Sequence, residues 1–435
     1  MSEYHGRLEL TWTNKDLRLL ANEDGSYEWV PPSDYRIAEV RLLHDAGTVG
    51  AVGPDIDRAA DNLLIRGDAL HALTSLTRLP EFERAYVGKI KLVYIDPPFN
   101  TQQSFLQYDD ALEHSVWLTM MRDRLLQIRD LLALDGSVWL HLDDSEAHRA
   151  QAVMDEVFGS QNFVASIIWR SSDNSNNDAK RFSSDHNTLL VYAKSEDWTS
   201  NRLVPTSEQV PHFSNPDDDP RGPWFDGNPL NSPNPRRNLM YNVTSPSGLE
   251  IKPPPNGWRW APDTMREKLS SGEIRFTPDG TGIRRRTYLR DHAGLPASSL
   301  WTDLSETGHN RQAKSELKRI FPHIPTSEIF PTPKPERLIH KIMRVATNPG
   351  DIVLDCFLGS ATTAAVAQKM GRRWIGVERS ADTLDTYAIP RLTKVVEGTD
   401  TGGVTEAVAW TGGGGFRILD VAPSMFAEDS GVVVL

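Results

Sequence analysis

The sequence predicts an α/β protein on a doubly wound sheet, interrupted by a long Pro-rich domain. Three observations carry that reading. Short apolar strands alternate with amphipathic helices on both sides of the middle of the chain. The stretch Arg170 to Arg344 holds 20 of the 29 prolines, in clusters such as Pro229, Pro233, Pro235 and Pro253-Pro254-Pro255, which long helices and a regular central sheet do not accept. That stretch also carries 25 basic against 21 acidic residues, whereas the remainder of the 435 residues carries 22 against 38.

Residues 1–60 show no strong pattern and read as an N-terminal segment. Asn62 to Asp68 reads as a strand ending at an acidic residue, followed by a helix from about Ala69 to Leu79. Lys91 to Asp96 is the next strand, stopped by Pro97-Pro98. From Ser115 to Leu134, Leu118, Met121, Leu125, Ile128, Leu131 and Leu132 recur at helical spacing, and Gly136 reads as the helix stop. Ser137 to Leu142 is a strand, Glu146 to Phe158 a helix, Phe163 to Trp169 a strand, and Asn187 to Ala193 the last apolar run of this half. Beyond the Pro-rich part, Glu336 to Ala346 is a helix, Asp351 to Asp355 a strand, Thr362 to Lys369 a helix and Trp374 to Glu378 a strand. The two halves are expected to complete one sheet. The chain closes on Gly412 to Gly415, Phe416 to Leu419 and an apolar Val432 to Leu435 that reads as a strand. The expected divisions are 1–60, a first α/β part 61–194, an insert 195–330, a second α/β part 331–397 and an extension 398–435.

Composition excludes several classes. With 24% charged and 39% hydrophobic residues the chain is neither collagen-like nor wholly disordered. A single cysteine, Cys356, rules out an intrachain disulfide and a multi-cysteine metal site, and reads as a small buried hydrophobe. Charges run through Met1 to Leu20 and no stretch is long and apolar enough to span a membrane, so a soluble, cytoplasmic protein is expected. The net charge of −12 counts against a nucleic-acid partner only as an average, because the middle stretch is slightly positive.

Two constellations carry chemistry. Asp96-Pro97-Pro98-Phe99-Asn100 sits where a buried strand ends, the place where open α/β sheets bind ligands. Two prolines stiffen the backbone, so a carboxylate, the Pro97 carbonyl and an aromatic ring are held together. That trio suits an exocyclic amino group on a heterocycle; a strand-terminating Asp-Pro turn beside a core Phe is the plainer reading. In the second, Asp351 to Thr363 reads as strand, tight loop and helix start, with Gly359 allowing close backbone approach. Glu378 follows Asp355 by 23 positions, where an acid can bind two ribose hydroxyls.

The strings DPPFN and DCFLGSATT, with NLLIRGDAL ahead of the first and TPKPERLI ahead of the second, resemble the amino-methyltransferases of DNA. The tetrad precedes the cofactor loop with a long insert between them, which resembles the circularly permuted β class; the resemblance covers roughly Asn62 to Glu378. ELTW at Glu9 to Trp12, HNTLLVYAK at His186 to Lys194 and GGGGFRILDVAPSMF near the end resemble the modification subunits of type III restriction-modification systems.

That resemblance implies a Rossmann-like methyltransferase sheet interrupted by a target-recognition domain. It assigns Asp96, Pro97, Pro98 and Phe99 to catalysis. Asp355, Phe357, Gly359, Ser360 and Thr362 become the S-adenosylmethionine loop, Glu378 the ribose acid and Asp68 the adenine contact, while Lys334-Pro335 helps hold the methionine end. Ala361 stands where the family usually has a second glycine; a helix start accepts Ala easily, so cofactor binding is expected to survive. The implied reaction methylates N6 of a flipped-out adenine in duplex DNA without a metal. Cytosine N4 is the alternative substrate, which the leading Asp in place of Ser argues against, and a non-catalytic specificity subunit is the alternative class. A homodimer and a restriction subunit are the implied partners.

In the middle domain Arg236-Arg237, Trp258-Arg259-Trp260, Arg284-Arg285-Arg286 and Arg290 suit phosphate and base contacts, with Trp258 and Trp260 read as core. The charge excess is small, so DNA affinity is expected to depend on salt and on dimerisation or a partner. His141 to Asp144 reads as a strand end beside the cleft, and Asp173 to Asp178 as a loop closing over the flipped base.

Overall fold

The structure is a computed structural model and describes residues 9–21, 26–100, 103–104, 109–110, 113–205, 210–227, 230–291, 293–429 and 432–434. Two expected features, Pro229 and the terminal Leu435, lie outside the described residues. Contacts divide the chain into one unit of residues 1–201 with 297–435 and a second of residues 202–296.

The first unit is organised by one mixed sheet, ten-stranded among the described residues. In chain order its elements are β1 (Leu43–Gly50), β2 (Asn62–Arg66), α1 (Ala69–Arg78), β3 (Ile90–Ile95), α2 (His114–Leu131), β4 (Leu132–Leu142), α3 (Ala147–Phe158), β5 (Phe163–Arg170) and β6 (His186–Ala193). After the second unit come β7 (Leu300–Trp301), α4 (Asn310–Ile320), α5 (Glu336–Ala346), β8 (Ile352–Asp355), α6 (Thr362–Lys369), β9 (Arg373–Glu378), α7 (Ile389–Glu397) and β10 (Gly415–Val421). The strand order is β7-β5-β6-β4-β3-β8-β9-β2-β10-β1. The block β4-β3-β8-β9-β2-β10 is parallel, while β6 and β1 run antiparallel to their neighbours. The expectation that both halves complete one sheet holds, because β3 and β8 pair directly across the interruption.

The central strands read as continuous apolar runs because helices cover both faces of a parallel sheet. All of β8 is buried, as is β3 apart from Lys91, and Ile65, Val93, Ile95, Leu140, Leu354 and Val377 share one core. Three elements depart from the expectation. Helix α2 stops at Leu131, not beyond: Leu132 is already extended (φ −64°, ψ 134°) and pairs with Ile90. Gly136 therefore lies inside β4, where an added Cβ would come within 2.7 Å of the Ile90 carbonyl oxygen. The N-terminal segment contributes β1 to the sheet edge, where it is mostly exposed and shows no alternation. The expected C-terminal extension contributes β10, seated between β2 and β1. No helix among the described residues is long and apolar enough to cross a membrane.

The second unit spans Arg202–Pro296, narrower than the expected insert 195–330; residues 297–330, with β7 and α4, belong to the first unit. Within it Ile283–Tyr288 pairs with Trp224–Gly227 on one side and Ile274–Phe276 on the other. Its core gathers Leu230, Val243, Trp258, Met265, Ile274 and Ile283, with Trp260 packed against it.

Candidate active site

Parallel pairing brings the ends of β2, β3, β8 and β9 to one edge of the sheet, and an acid stands at each. Asp68 and Asp96 follow β2 and β3, and Asp355 and Glu378 close β8 and β9. All four line a cleft of about 1000 Å³ within the first unit. So do Pro97, Pro98, Phe99, Lys334, Phe357, Gly359, Ser360 and Thr362, which brings together every proposed catalytic and cofactor residue.

The Asp96 loop is held from several sides. Pro98 gives its carbonyl to Trp117 Nε1 at 2.7 Å. Asn100, in a left-handed conformation (φ 61°), donates from Nδ2 to the buried Glu146 at 2.7 Å. The Lys334 ammonium meets Asp96 Oδ2 and lies 5.0 Å from the Phe99 ring centre. Beneath them His141 is fully buried, its ring 5.7 Å from Phe99 and edge-on to Trp169 at 5.4 Å. Its Nδ1 lies 2.8 Å from the Tyr94 hydroxyl and 4.0 Å from Asp96 Oδ1. Burial and the Lys334 ammonium push the His141 pKa well below the ordinary value, so the ring is neutral.

The second loop is a hydrogen-bonded cradle. Asp355 accepts from Phe357 N–H at 3.0 Å and from Thr363 Oγ1 at 2.6 Å, while burial pushes its carboxyl up to about 7. Gly359 has φ 52° and donates its N–H to Glu378 Oε2 at 2.8 Å; Ser380 N–H takes the other oxygen at 2.8 Å. Burial raises the Glu378 pKa as well.

A family model described as DNA methylase matches residues 90–388, which contain both loops. The chain belongs to the DNA methylase family. The chain is 27% identical over 414 residues to the probable type III restriction-modification enzyme HindVI Mod subunit of Haemophilus influenzae, covering 84% of this chain and 54% of that one. It is 26% identical over 408 residues to the type III StyLTI Mod subunit of Salmonella typhimurium, covering 80% and 60%. The chain thus spans little more than half the length of these relatives. Among solved structures, PvuII DNA methyltransferase (cytosine-N4-specific) aligns at 16% identity with a TM-score of 0.43, covering 80% of this chain and 90% of that one.

Ala361 is not at an ordinary helix start. It has φ 62° and ψ 31°, the left-handed region, immediately before α6, and its side chain is fully buried. Ease of accommodation was the wrong expectation: this is a conformation in which glycine is free of strain and alanine is not. Asp68 caps α1 through Leu70 N–H at 2.7 Å and takes Arg124 Nη2 on both oxygens at 2.9 and 3.0 Å. Burial opposes its ionisation, but Arg124, His71 and the Leu70 N–H overcome it and hold the carboxyl below its ordinary value.

Several residues of the site escaped sequence reasoning. Tyr94 had a signal, since a strand period of two places it on the same face as Asp96. Arg391 had none. From behind the cradle it donates to the Ser360 carbonyl at 3.0 Å, Thr362 Oγ1 at 2.9 Å and Glu336 Oε1 at 2.9 Å. Glu336 in turn bonds Lys369 at 2.9 Å, which reaches Asp400 at 2.7 Å, all in the interior. Cys356 is buried, as expected. Among the described residues no cluster of His, Cys, Asp and Glu is arranged to hold a metal.

In the second unit the arginine triplet does not act together. The strand period sends Arg285 to Glu273 at 3.2 Å, while Arg286 binds Asp217 and Asp219 and stacks on Trp224 at 4.3 Å. Arg236, Arg237, Arg259 and Arg284 are exposed, Arg259 lying 5.7 Å from the Trp260 ring centre.

Proposed function

We propose that this DNA methylase transfers a methyl group from S-adenosylmethionine to N6 of an adenine extruded from duplex DNA, as the modification subunit of a type III restriction-modification system. One observation carries the reading. Asp96 beside Phe99 and the Asp355–Glu378 cradle open into the same cleft because β3 and β8 are adjacent and parallel. The match to the two Mod subunits over most of this chain supports the system class.

The residues fit this methyl donor. Glu378 is a partly buried acid fixed by two backbone N–H groups, placed to accept ribose hydroxyls. Gly359 turns the loop through the left-handed region, and a Cβ there would lie 3.0 Å from the Phe330 ring, so glycine lets the cradle close against that ring. Asp68 would hold the adenine, and Lys334 with the N–H groups at the start of α6 the methionine end. S-adenosylmethionine supplies, when bound, an electrophilic methyl group on a sulfonium.

The chain supplies positioning. An adenine amino nitrogen is a poor nucleophile because its lone pair is conjugated with the ring. Asp96 and the Pro97 carbonyl would accept its two N–H bonds and draw it toward tetrahedral geometry, and Phe99 would stack on the base. The ammonium already seated on Asp96 supports this use: the carboxylate is oriented to receive N–H donors beside the aromatic ring. Because N6 is paired in a duplex, the base must leave the stack to reach the cleft. We assign target reading to the unit 202–296, with the exposed Arg236, Arg237, Arg259 and Arg284 as its DNA contacts, and a cytoplasmic homodimer with a restriction subunit as the working assembly.

The test is to incubate the protein with duplex DNA and methyl-labelled S-adenosylmethionine and digest the DNA to nucleosides. Label in N6-methyladenine supports the proposal. Label in N4-methylcytosine makes the enzyme a cytosine methylase, and unlabelled but bound DNA makes the chain a specificity subunit.

A further inference from the structure

Between β5 and β6 the chain leaves the rim of the cleft and returns to it. Ser171, Ser172 and Asp173 line the cleft on the way out, Ser184 and His186 on the way back. The excursion has its own framework. Ser171 and Ser172 donate their N–H groups to the Asp185 carbonyl at 2.9 and 3.2 Å, Ser175 Oγ reaches the Asp185 carboxylate at 2.8 Å, and Asn176 N–H reaches Ser183 Oγ at 2.6 Å. At its far end Lys180, Arg181 and Phe182 are all exposed, and Phe182 is 96% exposed.

A phenyl ring in water is unfavourable, and two cations beside it point to a partner that is both polyanionic and able to accept a flat apolar ring. The base stack of a nucleic-acid duplex is such a partner. Charge at the tip favours it: Lys180 and Arg181 outnumber Asp178, Asp173 pairs with Arg311 at 2.9 Å, and Asp185 is engaged by Ser175 and Ser183.

We propose that this loop is a wedge. Phe182 enters the DNA stack where the target nucleotide leaves it, and Lys180 and Arg181 rest on the neighbouring phosphates. The inference rests on reading the cleft as the seat of an extruded base, and it adds the group that occupies the vacated position.

The experiment uses two duplexes bearing the sequence that the wild-type protein methylates, one fully paired and one with the target adenine opposite an abasic site. Phe182→Ala is expected to lower kcat/KM on the paired duplex by about 10-fold or more and to stay within about 2-fold of wild type on the abasic one, where unstacking is already cheap. Phe182→Trp should retain activity on both, and S-adenosylmethionine binding by calorimetry should be unchanged in either variant. Equal activity of Phe182→Ala and wild type on the paired duplex overturns the wedge. So does an equal loss on both duplexes, which would place Phe182 in folding or in contact with a second copy of the chain. An active wild type with an unaffected variant sinks this inference alone; a wild type that transfers no methyl group sinks the reading of the cleft with it.

Discussion

Lys334 sets its ammonium on the carboxylate of Asp96, 238 residues away in the sequence, and both side chains line the cleft beside Phe99. The pair joins the two halves of the interrupted sheet at their shared edge. The Lys334 side chain is 7% exposed and that of Asp96 18%, so removal of the ammonium leaves a partly desolvated carboxylate at the cleft. Lys334→Met is expected to lower stability by about 1.5–3 kcal/mol, the usual worth of a hydrogen bond to a charged group. Thermal melting checks it, and an unchanged midpoint would show that the ion pair is idle.

Asp355 makes stability depend on pH. Its carboxyl titrates near 7 in the folded chain against an ordinary 3.8. Below about pH 4 it is protonated in both states and its contribution is whole; as pH rises, the unfolded chain releases the proton first and stability falls until about pH 7. Melting Asp355→Asn beside wild type should therefore show the variant gaining on wild type across that window and levelling off above it. A constant offset at every pH would contradict the assignment.

The two left-handed residues of the cradle should respond in opposite ways. Gly359→Ala places a Cβ against the Phe330 ring at 3.0 Å in a backbone region hostile to side chains. A loss of about 1–3 kcal/mol is expected, together with weaker S-adenosylmethionine binding. Ala361→Gly relieves left-handed strain at the cost of chain entropy, so stability should hold or rise by up to about 1 kcal/mol. Denaturant unfolding of both variants decides.

Behind the cradle, Glu336 bonds both Lys369 and Arg391 in the interior. Glu336→Gln keeps the shape and removes the charge, leaving two buried cations with Asp400 and the neighbouring Glu316 as the remaining acids. A destabilisation of about 3–5 kcal/mol follows from breaking such a network on one side. Denaturant unfolding should show it; a loss below about 1 kcal/mol would mean that water reaches the cluster.

What the sequence disclosed was local. Asp96 to Phe99 and Asp355 to Thr362 could be read because each motif lies at the end of an apolar run, and those runs are β3 and β8. Their meeting in one cleft followed from parallel pairing. What stayed hidden depended on distant partners or on backbone conformation. The exposed β1 has no alternation to betray it, and β10 finds β2 across some 350 positions. The end of α2 was misplaced because helical spacing continues through Leu132, although the sheet claims that residue. The handedness of Ala361 and the reach of Arg391 to Ser360 leave no trace in residue spacing.

The central claim is that Asp96 receives the amino group that is methylated. Its most direct measurement is transfer of labelled methyl from S-adenosylmethionine to duplex DNA by wild type and by Asp96→Asn, with cofactor and DNA binding measured on the same preparations. The account predicts N6-methyladenine from wild type, and from Asp96→Asn a fall of about 100-fold or more in kcat with both affinities kept, the scale of losing one preorganised transition-state contact. Transfer by Asp96→Asn at the wild-type rate would contradict it.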